Sequence, residues 1–168
     1  MKKLILLAIT GVIAFGIGFG INELFFAGRD PVQPINFSHR IHAGDNKVPC
    51  LYCHVFAERS RVSGVPNVQR CMGCHKIIKT DSPEIQKVAA YWDKQEPIPW
   101  VKVHNLPDHV YFTHKRHVRA GVQCQNCHGD IASMDRVERV SSLKMGWCLS
   151  CHTKRQVKNG RDCWTCHK

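Results

Sequence analysis

Acidic residues are scarce in this chain: 13 Asp and Glu stand against 24 Lys and Arg in 168 residues, for a formal charge of +11. Such an excess ordinarily raises nucleic acid or anionic lipid as a partner. The sequence lacks the aromatic-basic stripe and the recognition signatures of a nucleic-acid binder, which sets nucleic acid aside. It also lacks a spare thiol. All ten cysteines fall in pairs three positions apart, too close for ordinary bridges, which argues against a disulfide framework. The hydrophobic content of 43% is that of an average globular protein and decides nothing further.

What is present is one motif five times: Cys50-Leu-Tyr-Cys53-His54, Cys71-Met-Gly-Cys74-His75, Cys124-Gln-Asn-Cys127-His128, Cys148-Leu-Ser-Cys151-His152 and Cys163-Trp-Thr-Cys166-His167. C-x-x-C-H is the attachment signature of c-type haem. Two thiols on one turn add across the haem vinyl groups, and the adjacent imidazole reaches the iron as proximal ligand. Zinc ribbons also use C-x-x-C pairs, but in twos and with no histidine required after each. With 11 histidines in 168 residues, finding one after all five pairs by chance has odds of roughly one in a million. Five haem c groups are therefore expected. Their propionates, about ten negative charges on ordinary carboxylate pKa values, give the basic excess its purpose.

From Asn36 onward only 133 residues (168 less the 35 before it) surround five haems. The core is then expected to be porphyrin, with the haems close together and little regular secondary structure: a mostly irregular and α multihaem architecture.

Six histidines lie outside the motifs. Phe37-Ser-His39-Arg-Ile-His42 precedes the first motif and Phe112-Thr-His114-Lys-Arg-His117 the third, so F-x-H-x-x-H occurs twice. Arg61-Val-Ser63 before Cys71 and Arg139-Val-Ser141 before Cys148 extend the similarity. The exported region divides into a two-haem module at 36–79, a linker helix region at 80–100 and a three-haem module at 101–168. Histidines three apart share a helical face, so each pair can serve two neighbouring haems as distal ligands. His104 and His109 compete for the fifth distal place. Met72, Met134 and Met145 could each ligate instead, although packing suits them better. Bis-histidine iron has no open position, which favours electron transfer over catalysis. In the linker, Ser82-Pro83-Glu84 starts a helix with Ile85, Val88, Ala89 and Trp92 on one face, ended by Pro97 and Pro99. That face is expected to pack on haem or on the other module.

At the N-terminus, Lys2 and Lys3 precede an uncharged stretch from Leu4 to Ile21, and Leu24 to Ala27 add further apolar residues. The run is long enough to cross ~30 Å of hydrocarbon, and the lysines place the remainder outside. Residues 1–30 are thus expected to be a single transmembrane anchor and 31–168 an exported domain. A cleaved signal peptide is the alternative, but its apolar region is shorter, about 7 to 15 residues.

The F-x-H-x-x-H before C-x-x-C-H resembles the class III multihaem cytochromes c. The run Pro97-Ile-Pro-Trp100-Val-Lys-Val-His104-Asn-Leu-Pro-Asp-His109-Val-Tyr-Phe112, with the anchor and five motifs, is similar to the pentahaem subunit of alternative complex III, over nearly the whole chain. That resemblance implies a quinol-oxidising complex of the bacterial inner membrane, with this subunit on the periplasmic side. Its implied partners are an iron-sulfur, molybdopterin-oxidoreductase-like subunit and polytopic quinone-binding membrane subunits. The implied acceptor is a monohaem cytochrome c or a terminal oxidase. The resemblance also favours His104 as ligand, because the matching histidine is a fixed feature of that family whereas the position of His109 is often aromatic. The related menaquinone reductase complexes of sulfate reducers carry a similar subunit with six haems and the opposite electron flow. The main rival is a single-helix membrane-anchored quinol dehydrogenase feeding a periplasmic reductase. A multihaem nitrite or hydroxylamine reductase, which needs an open iron, and a free periplasmic shuttle are further rivals.

Overall fold

The computed structural model describes the backbone of residues 2–26 and 31–167, and the side chains of residues 3, 9–21 and 31–167. Residues 1 and 27–30 of the expected anchor, and residue 168 of the expected haem domain, lie outside the described residues. Helix α1, Lys2–Phe26, has 25 residues, about 37 Å at the α-helical rise. Its described side chains at 9–21 are all exposed, with Phe15 and Phe19 stacked at 6.5 Å along one side. Among the described residues no helix is long and apolar enough to cross a membrane.

From residue 31 the chain is short helices joined by turns: α2 Cys50–Cys53, α3 Val68–His75, α4 Pro83–Asp93, α5 His114–Arg119, α6 Gln125–His128, α7 Met145–Lys154 and α8 Cys163–Cys166. A π-helical turn at Arg40–Asp45 and a 3₁₀ turn at Ile131–Ser133 complete them. The β structure among the described residues is one antiparallel bridge, Val110 with His167. A mostly helical and irregular architecture is what the sequence led us to expect.

The caps explain where these helices begin. Asn67 starts α3 by accepting the Arg70 N–H on Oδ1 at 3.2 Å. Pro83 occupies the first turn of α4 after Ser82, as the sequence indicated. Glu84 lies beside the helix N-terminus. It accepts the Asn36 N–H at 2.7 Å and pairs with Lys87 at 2.7 Å, so it ties the segment entering from α1 to α4. The apolar face of α4 packs on α3, the helix of the second motif. Val88 joins Val68, Met72, Ile35 and Ile98 there, with Cys71, Trp92 and Trp100 against the cluster.

That cluster is small. The buried apolar residues are Ile35, Ala57, Val68, Met72, Val88 and Ile98, and among the described residues no side chain is fully buried. Large apolar groups meanwhile stand in the open, including Ile77 at 87% and Trp164 at 79% exposure. Side chains alone do not make a core of ordinary size here.

The two halves interlock. Ser38 and Arg40 reach Asp135, and the Arg40 N–H donates to the Met134 carbonyl. In return the His114 and Lys115 N–H groups donate to the carbonyls of Arg61 and Ser60. Gln33 pairs both its amide groups with the backbone of Val101 at 2.9 Å.

Candidate functional site: five paired-thiol motifs and their histidines

Each C-x-x-C-H lies on a helical turn: in α2, α3 and α7, across the start of α6, and in α8. Residues three apart share a helical face, so the turn directs both thiols to one side and follows them with the imidazole. All ten cysteines are unpaired. Among the described residues no group of three or more His, Cys, Asp or Glu could hold a metal ion, which is the convergence a zinc ribbon needs.

The motif histidines are held by one ring nitrogen. Nδ1 of His54 lies 2.7 Å from the Gly64 carbonyl, that of His75 3.0 Å from Ile78, that of His152 2.7 Å from Gly160 and that of His167 3.3 Å from His109. A carbonyl can only accept, so Nδ1 carries the hydrogen and Nε2 presents its lone pair, the tautomer a metal ligand requires. Gly64 can present its carbonyl this way because it adopts φ +71, a conformation other residues rarely take. His128 differs. Its Nδ1 meets a side chain, Nε2 of His104, at 3.3 Å.

The two F-x-H-x-x-H segments repeat in three dimensions. Phe37 meets His39 edge-on at 4.9 Å and 86° and stacks on His42 at 4.3 Å and 27°. Phe112 meets His114 at 4.8 Å and 87° and His117 at 4.6 Å and 32°. One phenyl ring thus holds two imidazoles in different planes, so that they address different neighbours. The Nδ1 groups of His42, His114 and His117 are again anchored on carbonyls, of Ser38, Arg61 and Thr113. His39 is half-buried, with its buried Nδ1 unpartnered.

Opposite these rings stand motif histidines. His42 faces His75 at 6.0 Å between ring centres, His114 faces His128 at 6.3 Å and 7°, and His117 faces His152 at 6.0 Å and 26°. His39 lies by His54 and His42, though burial is the main reason its pKa falls to about 4, with those two rings adding to it. His109 stacks with His167 at 5.5 Å and 22°. His104 is 4.4 Å from His128 and nearly perpendicular to it. Burial likewise brings His128 down to about 4, with His104, His114 and His54 contributing, and burial lowers His104 and His114. Such rings stay neutral, as metal ligation demands. Met72 belongs to the hydrophobic cluster and Met145 is 62% exposed at the start of α7.

Each motif has a thiol beside a thiol of another motif. Burial raises the pKa of Cys53 and Cys71, with Cys74 acting on the first and Cys53 on the second. Cys124 is raised by burial and by its contact with Cys50, which includes a hydrogen bond. Cys127, raised by burial, lies by Cys151 and Cys148, and Cys148, also raised by burial, lies by Cys166. In space the motifs therefore run second, first, third, fourth, fifth.

These residues fit c-type haem. Free thiol pairs, imidazoles locked with Nε2 outward, facing rings about 6 Å apart and uncovered apolar surface are what the group needs. A cavity of about 250 Å³ lined by His109, Cys163, Trp164 and His167 lies at the fifth motif, and one of about 340 Å³ at His75, Met72 and Trp92 lies by the second. The sequence did not reveal the carbonyls that lock the motif histidines, because Gly64 and Gly160 stand 10 and 8 residues beyond their partners in unlike contexts. The buttress was visible as the phenylalanine shared by both repeats, without its role.

Residues 110–168 match the family model described as cytochrome c7 and related cytochrome c. Across 94% of this chain and 86% of the relative, the sequence is 27% identical to the "Menaquinone reductase, multiheme cytochrome c subunit" of Nitratidesulfovibrio vulgaris. Both comparisons support a multihaem cytochrome c with covalently bound c-type haem.

Proposed function

We propose that this chain is the electron-carrying subunit of a membrane quinone oxidoreductase complex of the alternative complex III and menaquinone reductase type, with five covalently attached haem c groups. The observation that carries the proposal is the unbroken file of five attachment motifs, each with a second histidine near its own. Bound haem supplies a one-electron ferric/ferrous couple at each motif. In this reading the ten motif cysteines attach it, His54, His75, His128, His152 and His167 are the proximal ligands, and His39, His42, His114 and His117 serve as distal ligands, supported by the approach of their rings to motif histidines. Ligands on both sides of an iron leave no position for substrate, so the subunit conducts electrons and is not itself the catalytic site.

The file has two ends. The second motif packs against Ile35, shortly after α1 in the chain, and the fifth carries the exposed Trp164. Electrons enter at one end and leave at the other. The proposed partners are an iron-sulfur, molybdopterin-oxidoreductase-like subunit and polytopic quinone-binding subunits, with a monohaem cytochrome c or a terminal oxidase beyond. The quinone link rests on the name of the Nitratidesulfovibrio vulgaris relative and on the sequence resemblance. Helix α1 is the proposed anchor in the bacterial inner membrane, with residues 31–168 on the periplasmic side. Its support is the 25-residue helix and the uncharged run from Leu4 to Ile21.

Purification of the haem protein from native membranes in mild detergent, with its companions identified by mass spectrometry, tests the proposal. Co-purification of an iron-sulfur subunit and polytopic membrane subunits is the expected result. A cytochrome that came away alone, or only with a soluble reductase, would instead be a single-helix quinol dehydrogenase.

A further inference from the structure

We infer that the first two and the third and fourth haem sites are matched halves related by a pseudo-twofold axis inside the chain, and that His39 breaks the match: of the first and third haems, which meet at the axis, the first has the higher potential. The inference rests on the five-haem reading above and adds to it an uneven step at the middle of the file.

The axis follows from contacts that come in reciprocal pairs, the mark of twofold packing. Arg40 and Lys115 hold the same place in the two F-x-H-x-x-H repeats. Ser60 and Met134 likewise stand six residues past the first and third motif histidines, His54 and His128. The Lys115 N–H donates to the Ser60 carbonyl at 3.0 Å, and the Arg40 N–H donates to that of Met134 at 2.9 Å. Each half thus receives the distal-histidine segment of the other just after its own motif. Near such an axis a residue meets its own counterpart. Cys50 and Cys124, the leading thiols of the first and third motifs, are hydrogen-bonded to each other. Outside this central pair His42 faces His75 as His117 faces His152, each at 6.0 Å, and the fifth motif is appended to the second half.

Across the axis the distal ligands are nearly alike. Phe37 meets His39 and Phe112 meets His114 edge-on, at 86° and 87°. His42 and His117 make the same bond, to the carbonyls of Ser38 and Thr113. The exception is one acceptor. Arg61, the residue after Ser60, offers its carbonyl to both the His114 N–H and the His114 Nδ1, at 3.0 and 2.9 Å. At the matching position Asp135 bonds through its carboxylate, to Ser38 and Arg40, and the buried Nδ1 of His39 has no acceptor. An acceptor on the remote nitrogen makes an imidazole a stronger donor and favours ferric iron. His114 has that acceptor and His39 lacks it, so the first haem is the easier to reduce. The charges that also differ between the halves, Asp135 and Arg61, are exposed and screened by solvent, and Asp135 is paired with Arg40. An electron crossing the centre therefore rests on the first haem.

The test is a redox titration of the haem-loaded wild type followed by nuclear magnetic resonance, each haem being assigned through its contacts with Cys50 and Cys53 or with Cys124 and Cys127. The first haem is expected to be reduced before the third. In the fully reduced protein the Nδ1 proton of His39 is expected to resonate upfield of those of His42, His114 and His117, as a proton without an acceptor does. His39→Ala and His114→Ala are each expected to turn one haem of five high-spin in electron paramagnetic resonance, which checks the two ligand assignments. Simultaneous reduction of the first and third haems, earlier reduction of the third, or a His39 proton in the range of the other three would overturn the inference. Intact mass and the alanine variants separate the two levels. Fewer than five haems in the wild type, or five low-spin haems in either variant, refute the underlying reading and this inference with it, whereas five haems reduced in the opposite order refute this inference alone.

Discussion

Arg40 grips Asp135 across 95 residues of sequence, its Nε lying 3.1 Å from one carboxylate oxygen and 3.2 Å from the other. The Ser38 hydroxyl donates to the same carboxylate at 2.6 Å. Both donors flank His39, so the clasp joins the first distal-histidine segment to the second half of the chain.

Asp135→Asn tests the clasp and carries a pH signature. The Ser38 and Arg40 hydrogen bonds hold the Asp135 carboxyl below its ordinary pKa. A depressed carboxylate contributes stability that is complete above its unfolded pKa and disappears as pH falls through its folded pKa. The wild type is therefore expected to melt above the variant at pH 7, by a modest margin because the pair is exposed. The two melting curves are expected to converge in strong acid and to approach each other in high salt. Scanning calorimetry of the haem-loaded proteins across pH measures this; an equal gap at every pH would mean that the charge contributes nothing.

Phe112→Leu tests the buttress. The phenyl ring touches both His114 and His117, and removing its flat face frees two imidazoles at once. Low-spin signals from two of the five haems are expected to broaden or shift, at a stability cost of roughly 1–3 kcal/mol. Phe37→Leu is expected to act on a different two, those served by His39 and His42. Changes confined to one haem, or spread over all five, would contradict this division.

Gly160→Ala tests the carbonyl lock. An added Cβ would lie 2.8 Å from the Val157 Cβ and 3.1 Å from the His152 Cβ, so the backbone must move and the 2.7 Å bond to His152 Nδ1 must lengthen. A loss of about 1–3 kcal/mol is expected in denaturant titration, with an upward shift in the potential of one haem. Gly146→Ala, in α7, the helix that carries His152, meets nothing within 4 Å and is expected to be neutral or stabilising by up to ~1 kcal/mol. Equal destabilisation by both would show that the close approach at Gly160 is not the cause.

The sequence by itself determined whatever is local. A C-x-x-C-H is complete within five residues, so Cys50 to His54 and its four counterparts could be read with no knowledge of the fold. Pro83 at the start of α4 and the doubled F-x-H-x-x-H are local in the same sense. Only the tertiary structure decided what lies between segments: His117 opposite His152, Cys124 against Cys50, and the apolar face of α4 laid on α3. His104 and His109 show why. Five residues apart, with the same side chain, they are equivalent to any argument from spacing or composition. They separate only because Tyr111 and Val110 pin one of them to the fifth motif, while the other meets the far nitrogen of His128. Hydrogen bonds made across more than twenty residues of chain set those positions, and no local pattern encodes them.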